Sequence, residues 1–239
     1  MRAVITGASG LLGANLAVEL ARAGHDVAAT KRASSKVDHL KGQPITWLDA
    51  DLSDRAALAK AFDGADWVFH CAAQVSIRNA IGDELIAANV TGTKNVLSAV
   101  RHAKVGRLIH CSTVGAVGLS EDGAPCTEAS HWNFPAFGMA DGYVITKRWA
   151  EDLVDVAVEL GLEAVIVNPT YMFGPYDARP SSGKMIVEVV NGTVPGYTSG
   201  KNNFVDARDV ARGMILAAEK GIRGERYILG GENLTYGEA

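Results

Sequence analysis

Short, mostly apolar runs alternate along the chain with longer segments whose apolar residues recur at helical spacing. Continuous apolar runs are typical of strands that are buried on both faces of a sheet. We predict such strands at residues 2–6, 26–30, 45–48, 66–70, 107–111 and 163–168. Because helical segments separate them and crossovers are right-handed, the pattern predicts an α/β fold with a doubly wound parallel sheet.

The alternation weakens after Pro169, which suggests a division of the chain. Residues 1–169 are predicted to form the core, and residues 170–239 are predicted to be mainly a cap, with 204–220 returning to the core. We predict a helix at 184–191 and a last strand at 225–229. Open α/β sheets bind ligands at the carboxyl ends of their strands, so the cap is the predicted substrate-binding region.

The stretch "TGASGLLGANLA" (6–17) follows the first predicted strand and opens the first predicted helix. Glycines at 7, 10 and 13 would allow a tight turn, a close approach of pyrophosphate and close packing of the helix on the strand. Free N–H groups at the helix N-terminus attract phosphate. This pattern predicts a Rossmann dinucleotide-binding core. The predicted binding residues of the loop are Gly7, Ser9, Gly10, Leu11, Leu12 and Gly13.

The end of the second strand indicates which dinucleotide is preferred. NAD-binding proteins carry an acidic residue there, which accepts hydrogen bonds from the ribose 2′-hydroxyl. Here Lys31 stands at that place and Arg32 follows it. Two cations attract a 2′-phosphate, so NADP (as NADPH) is the predicted cofactor, with NAD as the alternative.

Composition excludes several classes of function. The chain has 239 residues, a formal net charge of −4 and no massed basic residues, which argues against a nucleic-acid partner. No long apolar window predicts a membrane span. Three cysteines without paired spacing favour a reducing compartment, so we expect a cytoplasmic protein.

Several motifs occur in one order along nearly the whole chain. They are "DADLSD" (49–54), "HCAAQVS" (70–76), "NVTGTKNVL" (89–97), "CSTVGAVG" (111–118), a YxxxK pair (143–147), "NPTYMFGP" (168–175) and "FVDARDVA" (204–211). In this order the chain resembles the extended short-chain dehydrogenase/reductase family, also known as the NAD-dependent epimerase/dehydratase superfamily. Within it, the sequence is most similar to the dihydroflavonol reductase-like proteins and their sugar-epimerase relatives.

The resemblance implies further cofactor contacts. One pair of residues would contact the adenine, small residues after the fourth strand would let the cofactor cross the sheet edge, and the turn after the sixth strand would contact the nicotinamide. These positions are Asp51, Leu52, Cys71, Ala72, Ala73, Pro169 and Thr170.

The resemblance also assigns the chemistry. Tyr143 would donate a proton to a carbonyl oxygen, and Thr113, with Ser112 as the alternative, would hydrogen-bond that oxygen. Lys147 lies one helical turn from Tyr143 and would bind the ribose. Both Tyr143 and Lys147 would therefore also contact the cofactor. An ammonium about 5 Å from the phenol should lower the phenol pKa by about two units.

Reduction of a small aldehyde or ketone (dihydroflavonol-like, steroid-like or aryl) is the favoured activity. A nucleotide-sugar epimerase is the alternative, and a non-catalytic dinucleotide-sensing regulator is a third hypothesis. Dehydration is disfavoured because Val114 and Gly115 stand where dehydratases carry acids. The resemblance implies a homodimer. Family members usually continue beyond "LTYGEA", so two alternatives are open: an unusually open pocket, or a cap that is truncated because the sequence is a fragment of a longer chain. The predicted substrate contacts are Ser76, Val114, Tyr171 and Phe173.

Overall fold

The computed structural model describes residues 1–75, 80–178 and 182–239. Ten strands are present: β1 Arg2–Thr6, β2 Asp26–Lys31, β3 Ile45–Asp49, β4 Trp67–His70, β5 Arg107–Cys111, β6 Ala164–Pro169, β7 Tyr171–Phe173, β8 Lys201–Asp206, β9 Arg226–Leu229 and β10 Glu232–Thr235. The helices are α1 Leu11–Arg22, α2 Arg55–Phe62, α3 Asp83–Leu85, α4 Gly92–His102, α5 Gly142–Glu159, α6 Gly183–Val190 and α7 Ala207–Lys220.

The main sheet confirms the predicted doubly wound Rossmann fold. Its seven strands run in the order β3-β2-β1-β4-β5-β6-β9, and every pairing is parallel. The strand order reverses between β1 and β4. In open α/β sheets the ligand crevice lies at such a switch point, outside the carboxyl ends of the strands.

Apolar side chains cover both faces of this sheet, as continuous apolar strands require. On one face Leu16 of α1 and Met214 of α7 pack with Ile109. On the other face, Leu58 of α2 and Val154 of α5 belong to a second buried cluster. The two layers leave only the strand ends free to bind ligands.

A second sheet has the strand order β10-β8-β7, and within the described residues none of its strands pairs with a strand of the main sheet. One residue, Thr170, separates β6 from β7, and Gly230 and Gly231 separate β9 from β10. From the region after residue 170, β9 joins the main sheet, and α7 packs against that sheet through Val210 and Met214.

From Asp83 to His102 the described chain is continuously helical. Between α3 and α4, residues Ile86–Thr91 form a π-helical segment. Single π-turns inside α-helices are rare and often lie at functional sites. In the described ranges, no helix combines the length and hydrophobicity that crossing a membrane would need.

Candidate active site

The turn after β1 is built by close backbone contacts. Gly7 has a φ of +80°, and a Cβ there would lie 2.5 Å from the backbone nitrogen of Ala72. A Cβ on Gly13 would lie 2.8 Å from the Cα of Ala8. Both positions therefore need glycine because of the protein's own packing. These contacts bring Cys71, Ala72 and Ala73 against the glycine loop.

Gly10 is different, because its missing side chain leaves space. A Cβ on Gly10 would meet only the Gly7 carbonyl oxygen, at 3.5 Å, which is an ordinary contact. Gly10 is also the N-cap of α1, and no side chain caps that helix within the described residues. The exposed N-terminus of a 12-residue helix, with Ser9, Leu11 and Leu12 around it, fits the pyrophosphate of a dinucleotide.

The predicted 2′-phosphate site contains an acidic residue that sequence analysis missed. Lys31 Nζ lies 3.2 Å from Asp49 Oδ1, because β2 and β3 place the two residues side by side. Arg32 is exposed, and its backbone N–H donates to Ser35 Oγ at 3.1 Å. Aligning the ends of these two adjacent strands in register would have placed Asp49 beside Lys31 from the sequence alone.

The predicted adenine pair lies after β3. Asp51 Oδ1 accepts hydrogen bonds from the backbone nitrogen and hydroxyl of Ser53, at 2.8 and 2.7 Å, and these bonds lower the pKa of Asp51. The Leu52 carbonyl accepts from Asn95 Nδ2 at 2.8 Å. Both residues are thus fixed in a turn at the carboxyl edge of the sheet.

The sheet brings Tyr143 and Thr113 together. Tyr143 lies in the first turn of α5, where Asp141 caps the helix by accepting a hydrogen bond from the Val144 nitrogen at 2.8 Å. Burial, followed by Cys111, raises the pKa of Tyr143, and a hydrogen bond with the Thr113 side chain acts in the opposite direction. The phenol is therefore neutral at neutral pH, which is the form that can donate a proton.

The expected effect of Lys147 on the phenol is wrong in this arrangement. Lys147 is 3% exposed and donates a hydrogen bond from Nζ to the Cys111 carbonyl at 2.6 Å. Desolvation of the Tyr143 ring is the largest influence on its pKa, so that pKa rises rather than falls. Burial also lowers the pKa of Lys147 itself, while Cys111 and Glu151 raise it.

The remaining predicted contacts lie at the same edge. Ser112 is buried, and its Oγ has no hydrogen-bond partner within the described ranges, whereas Thr113 Oγ1 accepts a hydrogen bond from the Gly115 nitrogen at 3.3 Å. Pro169 ends β6, and the Thr170 nitrogen donates to the Leu229 carbonyl at 3.1 Å. This bond holds the turn after β6 against β9.

The predicted substrate contacts lie in separate places. Val114 begins a short helical turn directly after Thr113. Tyr171 and Phe173 pack edge to face at 5.3 Å in β7, and Phe173 lines a cleft of about 580 Å³ with Phe204 and Leu234. Ser76 lies outside the described residues. The aromatic side chains thus form one wall, on the small sheet.

Two buried polar residues near Thr113 were also missed by sequence analysis. Asn168 Nδ2 donates both to the Thr113 carbonyl and to Glu151 Oε2, each at 3.0 Å. In the sequence, Asn168 could have been recognised as a polar residue at the end of an apolar strand, and Glu151 as a glutamate one helical turn after Lys147.

Comparison with known proteins agrees with this geometry. Residues 3–230 match the model of the NAD dependent epimerase/dehydratase family. The chain belongs to this family. A family member named sterol demethylase protein B, from Methylococcus capsulatus, is 39% identical over the whole chain and 72% of its own length. A putative dihydroflavonol 4-reductase from Synechocystis is 36% identical over 97% of this chain and 68% of its own length.

A solved structure shares this fold. The crystal structure of gox2253 has a TM-score of 0.92 and 36% identity, covering 99% of this chain and 72% of that one. Membership in the epimerase/dehydratase family, together with reductase-named relatives, makes the protein an NAD(P)-dependent oxidoreductase.

The contrast between Gly10 and Gly13 yields a test of the cofactor cradle. Gly10→Ala should leave the melting temperature within about 2 °C, because its Cβ makes only an ordinary contact, yet weaken NADPH binding about tenfold or more by occupying the space for phosphate. Gly13→Ala should lower the melting temperature clearly, because its Cβ overlaps backbone. Calorimetry and fluorescence titration measure the two quantities. Unchanged NADPH affinity in folded Gly10→Ala would contradict the assignment.

Proposed function

We propose that this protein is an NADP-dependent reductase of small aldehydes or ketones. The observation that carries the proposal is the position of the Tyr143 phenol, whose pKa burial raises, close to Thr113 at the edge of the sheet that also holds the glycine loop. A proton donor beside a hydroxyl is the arrangement that reduction of a carbonyl needs on its oxygen side.

Each residue then has a role in the reduction. The bound reduced nicotinamide would supply the hydride to the carbonyl carbon. Tyr143 donates its phenolic proton to the carbonyl oxygen, which gives the alcohol, and Thr113 hydrogen-bonds that oxygen as negative charge develops on it. Lys147, held by the Cys111 carbonyl, would bind the nicotinamide ribose rather than act on the phenol by its charge alone.

A bulky apolar carbonyl compound is the substrate class we favour. The wall formed by Tyr171, Phe173 and Phe204 is aromatic, with ring centroids 5.3 to 5.9 Å apart. Relatives named for a dihydroflavonol and for a sterol suggest ring-containing substrates for this chain as well. We propose that residues 170–239 supply most of this substrate region.

Removal of the phenolic hydroxyl tests the reaction. In Tyr143→Phe, NADPH-dependent reduction across a panel of aryl aldehydes, cyclic ketones and nucleotide sugars should fall by at least about 100-fold, because the proton donor is lost. NADPH affinity should change by less than about threefold. Tyr197→Phe is the matched control, since Tyr197 is 77% exposed and should keep full activity.

Three outcomes would contradict the proposal. Turnover with nucleotide sugars alone would identify an epimerase instead. Full activity in Tyr143→Phe would remove the tyrosine from the chemistry, and a wild-type protein that binds NADPH without any turnover would favour the dinucleotide-sensing regulator.

We also propose that the Lys31–Asp49 ion pair tunes the preference for NADP. Asp49 competes with a 2′-phosphate for Lys31, so the exposed aspartate weakens a selectivity that the lysine creates. Asp49 is 82% exposed in its side chain, whereas Lys31 is 29% exposed.

Replacing Asp49 and replacing Lys31 should shift the preference for NADPH over NADH in opposite directions. Asp49→Asn should raise the ratio of NADPH to NADH affinity by about fivefold, and Lys31→Ala should lower it by at least that factor. Asp63→Asn removes an exposed charge at the end of α2 and should leave this ratio of affinities unchanged. Calorimetric titration gives both affinities. An NADH preference in the wild type would refute the NADP assignment.

We further propose a homodimer that works in the cytoplasm. Trp149, Val156 and Leu160 are exposed on α5, with fractions of 42%, 52% and 62%, and helical spacing puts them on one face. Covering this face with a second copy would bury apolar surface. Light scattering at micromolar concentration should give the mass of two chains, and the mass of one chain would contradict the dimer.

A further inference from the structure

Glu151 is a buried acid for which the reduction described above has no use. It lies on α5 one turn after Lys147 and two turns after Tyr143, so all three share a helix face. Its side chain is 0% exposed. A buried carboxylate is costly unless charges and hydrogen bonds compensate it, so its partners indicate why it is there.

The partners of Glu151 connect four elements. Oε1 lies 3.1 Å from Arg226 Nη2 of β9 and 3.8 Å from Arg148 Nη1 of α5. Oε2 accepts from Asn168 Nδ2 of β6 at 3.0 Å. That same amide donates to the Thr113 carbonyl after β5, also at 3.0 Å. A continuous polar path thus runs from Arg226 through Glu151 and Asn168 to Thr113.

This path fixes the backbone of Thr113 relative to α5. Asn168 is 0% exposed, so neither of its two donated bonds competes with solvent. Without the acceptor on Glu151, the amide would lose the partner that orients it toward the Thr113 carbonyl. The position of the Thr113 hydroxyl beside Tyr143 therefore depends on a residue that touches neither side chain of the reacting pair.

Glu151 also acts on Lys147 through charge. Burial lowers the pKa of Lys147, and Cys111, Glu151 and Cys71 oppose that shift in this order. Two buried histidines, His70 of β4 and His110 of β5, face the same ammonium and have lowered pKa values themselves. Among these groups, Glu151 is the one carboxyl group, and it lies one helical turn from Lys147 on the same face of α5.

We propose that Glu151 is a positioning residue of the active site, which aligns Thr113 through Asn168 and places a carboxylate one helical turn from Lys147. This inference rests on the proposed reduction for its kinetic consequence. A purely structural role, joining β9 to α5 through Arg226, is the competing explanation.

Asp155 separates the two explanations. It lies on the same helix, and its Oδ2 is 3.7 Å from the same Arg226 Nη2, but it is 37% exposed. No hydrogen bond joins Asp155 to Asn168 in the described part of the chain. A residue that only anchors Arg226 should therefore behave like Asp155.

The test compares Glu151→Gln with Asp155→Asn in the NADPH-dependent assay. Glutamine keeps the shape and an acceptor for Asn168 but removes the charge, so the basic limb of the kcat–pH profile should move to lower pH by about one unit. On that limb the shift should appear as a roughly tenfold loss of kcat, whereas kcat on the plateau at lower pH should fall by less than about threefold. Asp155→Asn should keep the wild-type profile.

Asn168→Ala isolates the alignment of Thr113. It removes both hydrogen bonds but keeps the Glu151 charge, so kcat should fall by about tenfold or more at every pH while the basic limb stays in place. This variant also covers the case in which Glu151→Gln does not fold. A wild-type pH profile in Glu151→Gln, or an unchanged kcat in Asn168→Ala, would overturn the inference.

A readout without turnover distinguishes failure of this inference from failure of the proposed function. In NADPH-saturated protein, the lysine 13Cε resonance that disappears in Lys147→Arg reports the titration of Lys147. Its pKa should be lower in Glu151→Gln than in the wild type or Asp155→Asn. If the protein reduces no carbonyl compound but this pKa still falls, only the proposed function fails; if the pKa is unchanged, the effect of the Glu151 carboxylate on Lys147 fails.

Discussion

The contact between the Gly7 turn and the backbone after β4 is the constraint on which the rest of the structure depends. Because the chain approaches Ala72 so closely at Gly7, α1 starts at the switch point between β1 and β4. The helix N-terminus then faces the crevice, and the strand ends that carry Cys111, Thr113 and Pro169 line its other side. A side chain at position 7 would separate β1 from β4 and remove the crevice.

Buried hydrogen bonds extend this constraint to the α5 helix. Thr6 Oγ1 bonds to His70 Nδ1 at 2.7 Å, and His70 Nε2 bonds to Thr93 Oγ1 at 3.1 Å. Asn89, in the π-helical segment, donates to Thr146 Oγ1 at 3.1 Å, one residue before Lys147. The π-turn thus directs a polar side chain toward α5. These buried hydrogen bonds connect the strands next to the glycine loop with the α5 side of the site, as the Glu151 path connects β6 and β9 with α5.

The sequence predicted the fold well because its signals are local. Apolar runs located the seven strands of the main sheet to within a residue or two, but not β7, β8 and β10 of the small sheet, and the glycine spacing located the loop. Asp49 and Glu151 were missed because their partners, Lys31 and Asn168, come from other strands and helices, so only register and packing reveal them. The direction of the Tyr143 pKa was wrong for a related reason, since helical spacing shows a nearby lysine but not how deeply the ring is desolvated.

Two short connections join the two sheets: Thr170 links β6 to β7, and Gly230 with Gly231 links β9 to β10. The bond between Thr170 and Leu229 holds these connections side by side. A change at this junction would therefore shift the aromatic wall relative to the main sheet. In the proposed reductase, connections of this kind would let the small sheet change its substrate specificity during evolution while the cofactor-binding main sheet is conserved.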